Sequence, residues 1–341
     1  MTTSRSLVVA GAGAIGRTVA FVLARAGHSV TVVDPDPDGA NASRIAAGML
    51  APAFEALFDG GHYDLLRAAL ALWPPLAREL GLTLTWDGAM AVGTKAEAVA
   101  WMAQLAALGA EGELRDLGQD RWAAFCDEDR QIDPAGALLA LRQGAEWHGA
   151  RFVSGRVTGF AGGAVQIDGG ERIAADGLVV ATGAGQDLAP VAPELSRLTP
   201  IKGHILRAGN AYSRIPVVRR PEVYICRTAE GTFLGATMEV GRADSEVDPA
   251  IVRRLLADAG ELSDGLERLT WAAAAGVRAA TPDGLPMVGE ASADGAILAV
   301  GARRNGWLLA PMIAEVVLDA VEGRPKSPAA ELFDANRFSR G

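Results

Sequence analysis

Short unbroken apolar runs alternate along the chain with longer stretches of helical spacing, which predicts strands and helices in turn. Leu7 to Ala10 is an apolar run suited to a strand buried on both faces, Ile15 to Ala26 has helical spacing, and Ser29 to Val33 reads as a second buried strand. The alternation continues to about residue 80 and predicts a parallel α/β unit. Its last helix, Tyr63 to Leu80, is expected to be kinked or interrupted at Pro74-Pro75. Beyond it the pattern changes. LTLTWDGAMAVG (82–93) looks like strands, and KAEAVAWMAQLAALGA (95–110) like an amphipathic helix. Pro134 to Gly149 reads as another helix, followed by short strands that close on the buried run Gly177 to Ala181. Pro200 to Val240 is strand-rich with a turn at Glu230-Gly231, and Asp248 to Ala259 is helical. Near the end, Ile297–Val300, glycine breaks at Gly301 and Gly306, and a helix from near Leu309 repeat the grammar of the opening.

That repeated grammar occurs at the start, near Val179–Gly185, and near the C-terminus, with different blocks between. It predicts an α/β protein in which a Rossmann-like cofactor domain is built from residues 1–80, 132–200 and 280–341. A substrate domain with a mixed, largely antiparallel sheet would be inserted as 81–131 and 201–279. The cofactor class follows from the opening. Gly11, Gly13 and Gly16 have G-x-G-x-x-G spacing, which serves a tight turn, close approach of a pyrophosphate and helix–strand packing. The helix beginning there offers free N–H groups to an anion. Asp34, at the end of the second strand, is placed to accept ribose hydroxyls. The alternative is a glycine-rich turn with no ligand. A simple nicotinamide enzyme needs one contiguous nucleotide domain. A chain that returns to its cofactor three times fits FAD better, because a long flavin must be held at both ends.

Bulk properties narrow the classes further. With 341 residues, half of them apolar and a net charge of −9, the chain is an ordinary globular protein poorly suited to nucleic acid or anionic membranes. Cys126 and Cys226 form no C-x-x-C pair, and His28, His62, His148 and His204 make no metal spacing, so no metal is expected. The apolar stretch near the end carries Pro311, Glu315 and Asp319 and does not read as a membrane span. The first strand begins too early for a signal peptide, and the cytoplasm is the expected location.

The opening motif, GANASRIAAGMLAP (39–52), VVATGA, YICR, GATM, GVRAATPDGLPMVG and ARRNGWLLAP keep an order, over nearly the whole chain, that resembles the glycine oxidase group of the D-amino-acid oxidase superfamily. The resemblance implies noncovalent FAD. Gly11, Gly13, Ala14, Ile15 and Gly16 would form the pyrophosphate turn, with Asp34 on the adenosine ribose and Val157 at the adenine. Ala42, Ser43, Ala47, Gly48 and Met49 would follow the pyrophosphate and flavin edge, together with Gly183 of VVATGA. Ala302, Arg303, Arg304, Asn305, Gly306, Trp307 and Leu308 would pass under the pyrimidine end of the flavin. A helix starting after them would turn its positive end toward the flavin N1–C2=O.

The same resemblance implies the reaction. Arg278 matches the arginine that grips a substrate carboxylate with two parallel hydrogen bonds, Tyr224 the tyrosine that shares it, and Arg304 a second arginine nearby. Their alternatives are a surface arginine, a strand-packing tyrosine and a structural ion pair. The implied chemistry is oxidative deamination of glycine, sarcosine or a small D-amino acid. Hydride passes from Cα to flavin N5, the imine is hydrolysed, and O2 takes the electrons with release of H2O2. A neutral amine needs no general base. An FAD-dependent dehydrogenase of the same fold, using a quinone or protein acceptor, is the alternative. The expected partners are thus a small amino-acid or amine substrate and O2, with a homo-oligomeric state left open. Two residues depart from the family pattern. Glu222 stands two before Tyr224, where glycine oxidases tend to have a polar residue, often histidine, and Arg303 stands where they usually have an apolar or aromatic one. Glu222 is expected on the same strand face as Tyr224, neutralising Arg303 or Arg304, with selection of a cationic substrate as the other reading.

Overall fold

The computed structural model describes residues 3–39, 41–209, 215–228, 231–263, 265–292 and 295–339. Ser6–Ala10 lies inside a six-stranded sheet in the order Met287–Glu290, Ala296–Val300, Gly177–Val180, Ser6–Ala10, Ser29–Asp34, Arg151–Ser154. Neighbours run parallel except for the antiparallel edge strand Met287–Glu290. The central strands are apolar throughout because both faces are covered; Val9 and Val179 are fully buried. Ala14–Arg25 packs against Pro134–Trp147 and Gly306–Glu322. The first strand's partners lie on opposite sides of it, so the chain leaves its carboxyl end in two directions and opens a crevice there.

A nine-stranded sheet draws its strands from residues 89–126 and 199–280. It is antiparallel apart from Val217–Arg219 against Ala89–Gly93, which makes it the expected mixed, largely antiparallel sheet. A three-stranded sheet of Met49–Leu50, Arg130–Ile132 and Leu84–Thr85 stitches distant segments together. No helix among the described residues is long and apolar enough to cross a membrane.

Several elements differ from expectation. Tyr63–Glu79 runs through Pro74 and Pro75 without interruption. The prolines remove backbone bonds, yet Trp73 between helices is fully buried and its indole N–H donates to the carbonyls of Trp307 and Leu308 at 3.1 and 3.2 Å. Trp307 is the residue whose carbonyl Pro311, with no N–H, leaves free, so the Trp73 indole supplies a donor that the last long helix lacks. The last long helix begins at Gly306, three residues before the expected start. Lys95–Leu108 buries only a narrow stripe around Ala98 and Leu105, and much of its outward face is alanine. Among the elements with no counterpart in the sequence reading are the helix Pro52–Asp59 and the strand Ala272–Ala280. The expected turn at Glu230-Gly231 falls partly outside the described residues, since Glu230 is not among them; the strands Tyr224–Thr228 and Gly231–Gly235 on either side pair antiparallel.

Candidate active site

Three adjoining cavities lead from the carboxyl ends of the six-stranded sheet to the nine-stranded one. A cavity of about 120 Å³ has Asp34, Arg156, Val157 and Thr182 in its walls. It shares Gly11, Asp34 and Thr182 with a groove of about 280 Å³ along Gly13, Ala14, Ile15, Ser43, Gly183 and Ala302. That groove shares Ala42, Ala46, Arg278, Arg304 and Trp307 with a third cavity of about 490 Å³.

The groove is made of backbone. Gly11 has φ +111° and a Cβ there would overlap the Ala181 carbonyl oxygen, while a Cβ on Gly16 would overlap the Gly11 carbonyl. These two glycines let turn, strand and helix close on one another. At Gly183, φ is +62° and the space beside Cα is open. Asp34 is fixed by the Ala12 N–H at 2.8 Å and the Asp36 N–H at 2.9 Å, which leaves its carboxylate in the wall of both smaller cavities. One expectation changes here. The Ala14 N–H donates to the Ser43 hydroxyl at 2.9 Å, so a bound anion would be met there by that hydroxyl, whose own proton can donate. A narrow, glycine-floored path with a fixed carboxylate at one end and an uncapped helix N-terminus at Gly306 near the other suits an extended dinucleotide, and these residues fit FAD.

The remaining sequence-predicted residues divide between the cavities. Arg303 and Gly306 line the groove, and Ala47, Gly48, Met49 and Asn305 line the large cavity. Leu308 does not line any of the three. It is the third residue of its helix and faces the core, 1 % exposed.

In the large cavity the polar groups are side chains. Ala272–Ala280 pairs along its whole length with Thr199–Ala208, which places Arg278 opposite Ile201. The guanidinium lies across Gly203, where a Cβ would sit 2.7 Å from Arg278 Cζ. Gly235 is required in the same way, since its Cβ would be 2.7 Å from the Tyr224 hydroxyl. Arg278 donates to the Thr237 carbonyl at 3.1 Å and touches Met238 Sδ at 3.5 Å. Among the described residues it forms no ion pair, and the Tyr224 hydroxyl forms no hydrogen bond. Burial raises the Tyr224 pKa, so the phenol stays a donor. Burial also pulls Arg278 below its ordinary value, yet a guanidinium remains charged.

Beside these groups stands a charge network that the sequence reading missed. Glu55 is buried and pairs with Arg304 at 3.1 Å and with Arg219 at 3.1 Å. One turn later on the same helix, Asp59 pairs with Arg303. Phe54 and Phe58 lie against the Arg219 guanidinium, with ring centroids 5.7 and 5.2 Å away. Asp129 accepts the Ala53 N–H at 3.1 Å and so caps this helix. Burial pushes the Asp129 carboxyl up to about 7, against the pull of Arg219. Burial acts on Glu55 in the same sense, but Arg304 and Arg219 outweigh it and hold that carboxyl below the usual range. Glu55 is therefore a counter-ion and not a proton acceptor.

This network corrects the reading of Glu222. Arg303 and Arg304 already have Asp59 and Glu55, and Glu222 makes no ion pair among the described residues. It lines the large cavity as expected, but it is exposed and precedes the strand Tyr224–Thr228 instead of belonging to it. The neighbouring Arg220 is held by Glu97 and Glu261. The only sequence signal for the network was the i, i+4 spacing of Glu55 and Asp59 directly after AAGMLAP.

The chain matches the family profile of FAD dependent oxidoreductases over residues 6–320. It is 28 % identical to a glycine oxidase of Geobacillus kaustophilus, covering 99 % of this chain and 97 % of that one. Identity to a glycine oxidase of Bacillus licheniformis is also 28 %, over 97 % of this chain and 96 % of the relative. The crystal structure of the Geobacillus kaustophilus glycine oxidase superposes with a TM-score of 0.87 at 26 % identity, covering 98 % of this chain and 99 % of that one.

Proposed function

The chain belongs to this family of FAD-dependent oxidoreductases, and from that premise we propose that it oxidatively deaminates a small amino acid: glycine, sarcosine or a small D-amino acid. It carries out amino-acid oxidation of the glycine oxidase kind on CH–NH groups. The observation that carries the substrate reading is the pairing of Arg278 and Tyr224. Among the described residues, a guanidinium without an ion pair and a phenol without a hydrogen bond line one cavity, and that cavity adjoins the proposed dinucleotide groove. Arg278 would hold the carboxylate with two parallel hydrogen bonds, and the Tyr224 O–H would add a third. Residues 1–80, 132–200 and 280–341 would bind noncovalent FAD, and 81–131 with 201–279 would form the substrate wall.

Bound FAD would supply the two-electron acceptor for the hydride that leaves Cα. The chain's own work is orientation. Arg278 and Tyr224 fix the carboxylate, and Glu55 together with Asp59 keeps Arg304 and Arg303 in place beside the groove. Among the described residues of the cavity, Glu55 is held ionised by two guanidiniums and Glu222 is exposed, so neither is suited to remove the amine proton. The amine would enter neutral, the imine would be hydrolysed in water, and O2 would take the electrons with release of H2O2. Both thiols are free and buried, which suits a reducing cytoplasm.

The test is peroxide release and flavin bleaching on a panel of glycine, sarcosine, small D-amino acids and their L-counterparts, with and without an artificial dye acceptor. Bleaching with peroxide release supports the oxidase. Bleaching with turnover only when dye is present selects the dehydrogenase alternative. A flavin that no amino acid bleaches contradicts the substrate class.

A further inference from the structure

Behind Arg278 lies a buried polar cluster that the reaction does not use. Alternate residues of Thr199–Ala208 face opposite ways. Gly203 and Ile205 line the large cavity, and His204, between them, is directed to the other side and is 0 % exposed. The Asp248 N–H donates to His204 Nε2 at 2.9 Å, so that nitrogen carries no proton and Nδ1–H donates to Glu239 at 2.7 Å. The His204 backbone N–H donates to the Thr237 hydroxyl at 2.9 Å, and that hydroxyl donates to the same Glu239 oxygen at 2.6 Å. Lys202, two residues away on the same face, is 1 % exposed and pairs with Asp244. All of these groups grip the segment 237–248, and the first residue of that segment offers its carbonyl to Arg278.

We infer that His204 is a positioning residue for the carboxylate-binding arginine. It acts through Glu239 and Thr237 to hold the Thr237 carbonyl where it orients the Arg278 guanidinium over Gly203. Two features distinguish this from ordinary packing. An apolar side chain would fill the same volume, whereas His204 satisfies a carboxylate and a backbone N–H with its two nitrogens, and both partners belong to the 237–248 segment. Arg278 also has no carboxylate to fix it. Its one hydrogen bond to oxygen among the described residues is to Thr237, so the aim of the guanidinium depends on where that carbonyl stands. Freed from it, the guanidinium could turn away from the position in which both of its N–H groups meet one carboxylate, and the fork geometry would be lost.

The inference rests on Arg278 as the carboxylate anchor, and its test separates the two. The FAD-loaded enzyme is titrated with acetate, which carries the carboxylate but no oxidisable amine, and binding is read from the visible flavin spectrum. KM and the limiting rate of flavin reduction are measured on the best amino acid of the panel. His204→Ala and Thr237→Val should each raise the acetate Kd and KM together by about tenfold, with the limiting rate changed less than about twofold. Thr237→Ser keeps the hydroxyl and should restore wild-type values. A lower melting temperature in His204→Ala or Thr237→Val with acetate Kd and KM at wild-type values would overturn the inference and leave His204 a packing residue. If His204→Ala fails to fold, the Thr237→Val and Thr237→Ser pair decides alone. Should Arg278→Ala bind acetate as tightly as the wild type, the anchor reading itself fails, whatever His204 does.

Discussion

The two ends of the connected cavity are built from different materials. At the dinucleotide end the working parts are backbone. Gly11, Gly13 and Gly16 form a turn within a few residues of sequence, to which Asp34 and Ser43 add side chains. At the end proposed for the amino acid the working parts are side chains brought from far apart. Glu55 comes from a helix early in the chain, Arg219, Tyr224 and Arg278 from the nine-stranded sheet, and Arg304 from the loop before the last long helix. A backbone site tolerates no added atom but has few charges to lose. A side-chain site tolerates volume changes better and depends on each charge having a partner.

The largest effect should come from Gly16→Val, which would break the first half of that contrast if it were harmless. Its side chain would overlap the Gly11 carbonyl, so the protein should purify colourless or fail to accumulate. Gly183→Ala, where the added atom meets open space but the backbone is left-handed, should keep FAD with weaker binding. The ratio of flavin to protein absorbance after desalting reads both.

Next is Glu55→Gln, which removes one negative charge and almost no volume. It leaves Arg219 and Arg304 without their shared carboxylate, and loss of one partner in a buried ion network should cost about 3 kcal/mol or more of stability. A urea melt that shows no shift would mean that the charge pairing at this end is dispensable.

Asp129→Asn is smaller and depends on pH. The folded carboxyl sits at about 7, above its unfolded value near 3.9. Stability from this group is therefore complete below about pH 4 and is lost as pH rises through 7. The asparagine keeps an acceptor for the Ala53 N–H and does not titrate. The variant should gain up to a few kcal/mol over the wild type at pH 8, and the two should converge toward pH 4. Thermal melts across that range check the sign.

The smallest effect belongs to Glu222→Gln. The residue is exposed at the outer cavity, so even a charge selector there should change preference for cationic over neutral amino acids by no more than about fivefold, and less at high salt. A uniform change across all substrates would assign it no selective role.

The same contrast explains what could be read in advance. The first three elements, the glycine turn and Asp34 follow from spacing within one short segment, so their local physics is visible in the sequence. Arg278, Tyr224 and Arg304 were found through resemblance of whole motifs. The strand that carries Arg278, AAAAGVRAA, has alanines that favour helix; nine residues of pairing with Thr199–Ala208 make it a strand. The Pro52–Asp59 helix was hidden for a related reason. It is short, its cap comes from Asp129, 76 residues away, and its purpose lies in arginines near the other end of the chain. Glu222 was misjudged because the partners of Arg303 and Arg304 sat on that unseen helix.

The central claim is that Arg278 anchors an amino-acid carboxylate beside bound FAD. Anaerobic mixing of the best amino acid with wild type, Arg278→Lys and Arg278→Ala, followed by flavin bleaching against substrate concentration, tests it most directly. Loss of a charge-assisted bidentate contact in a pocket costs about 3 kcal/mol, roughly a hundredfold in affinity. Half-saturation should thus rise at least that far in Arg278→Ala and recover only partly in Arg278→Lys, with the oxidised flavin spectrum unchanged in both. Bleaching of Arg278→Ala at wild-type substrate concentrations would contradict the account.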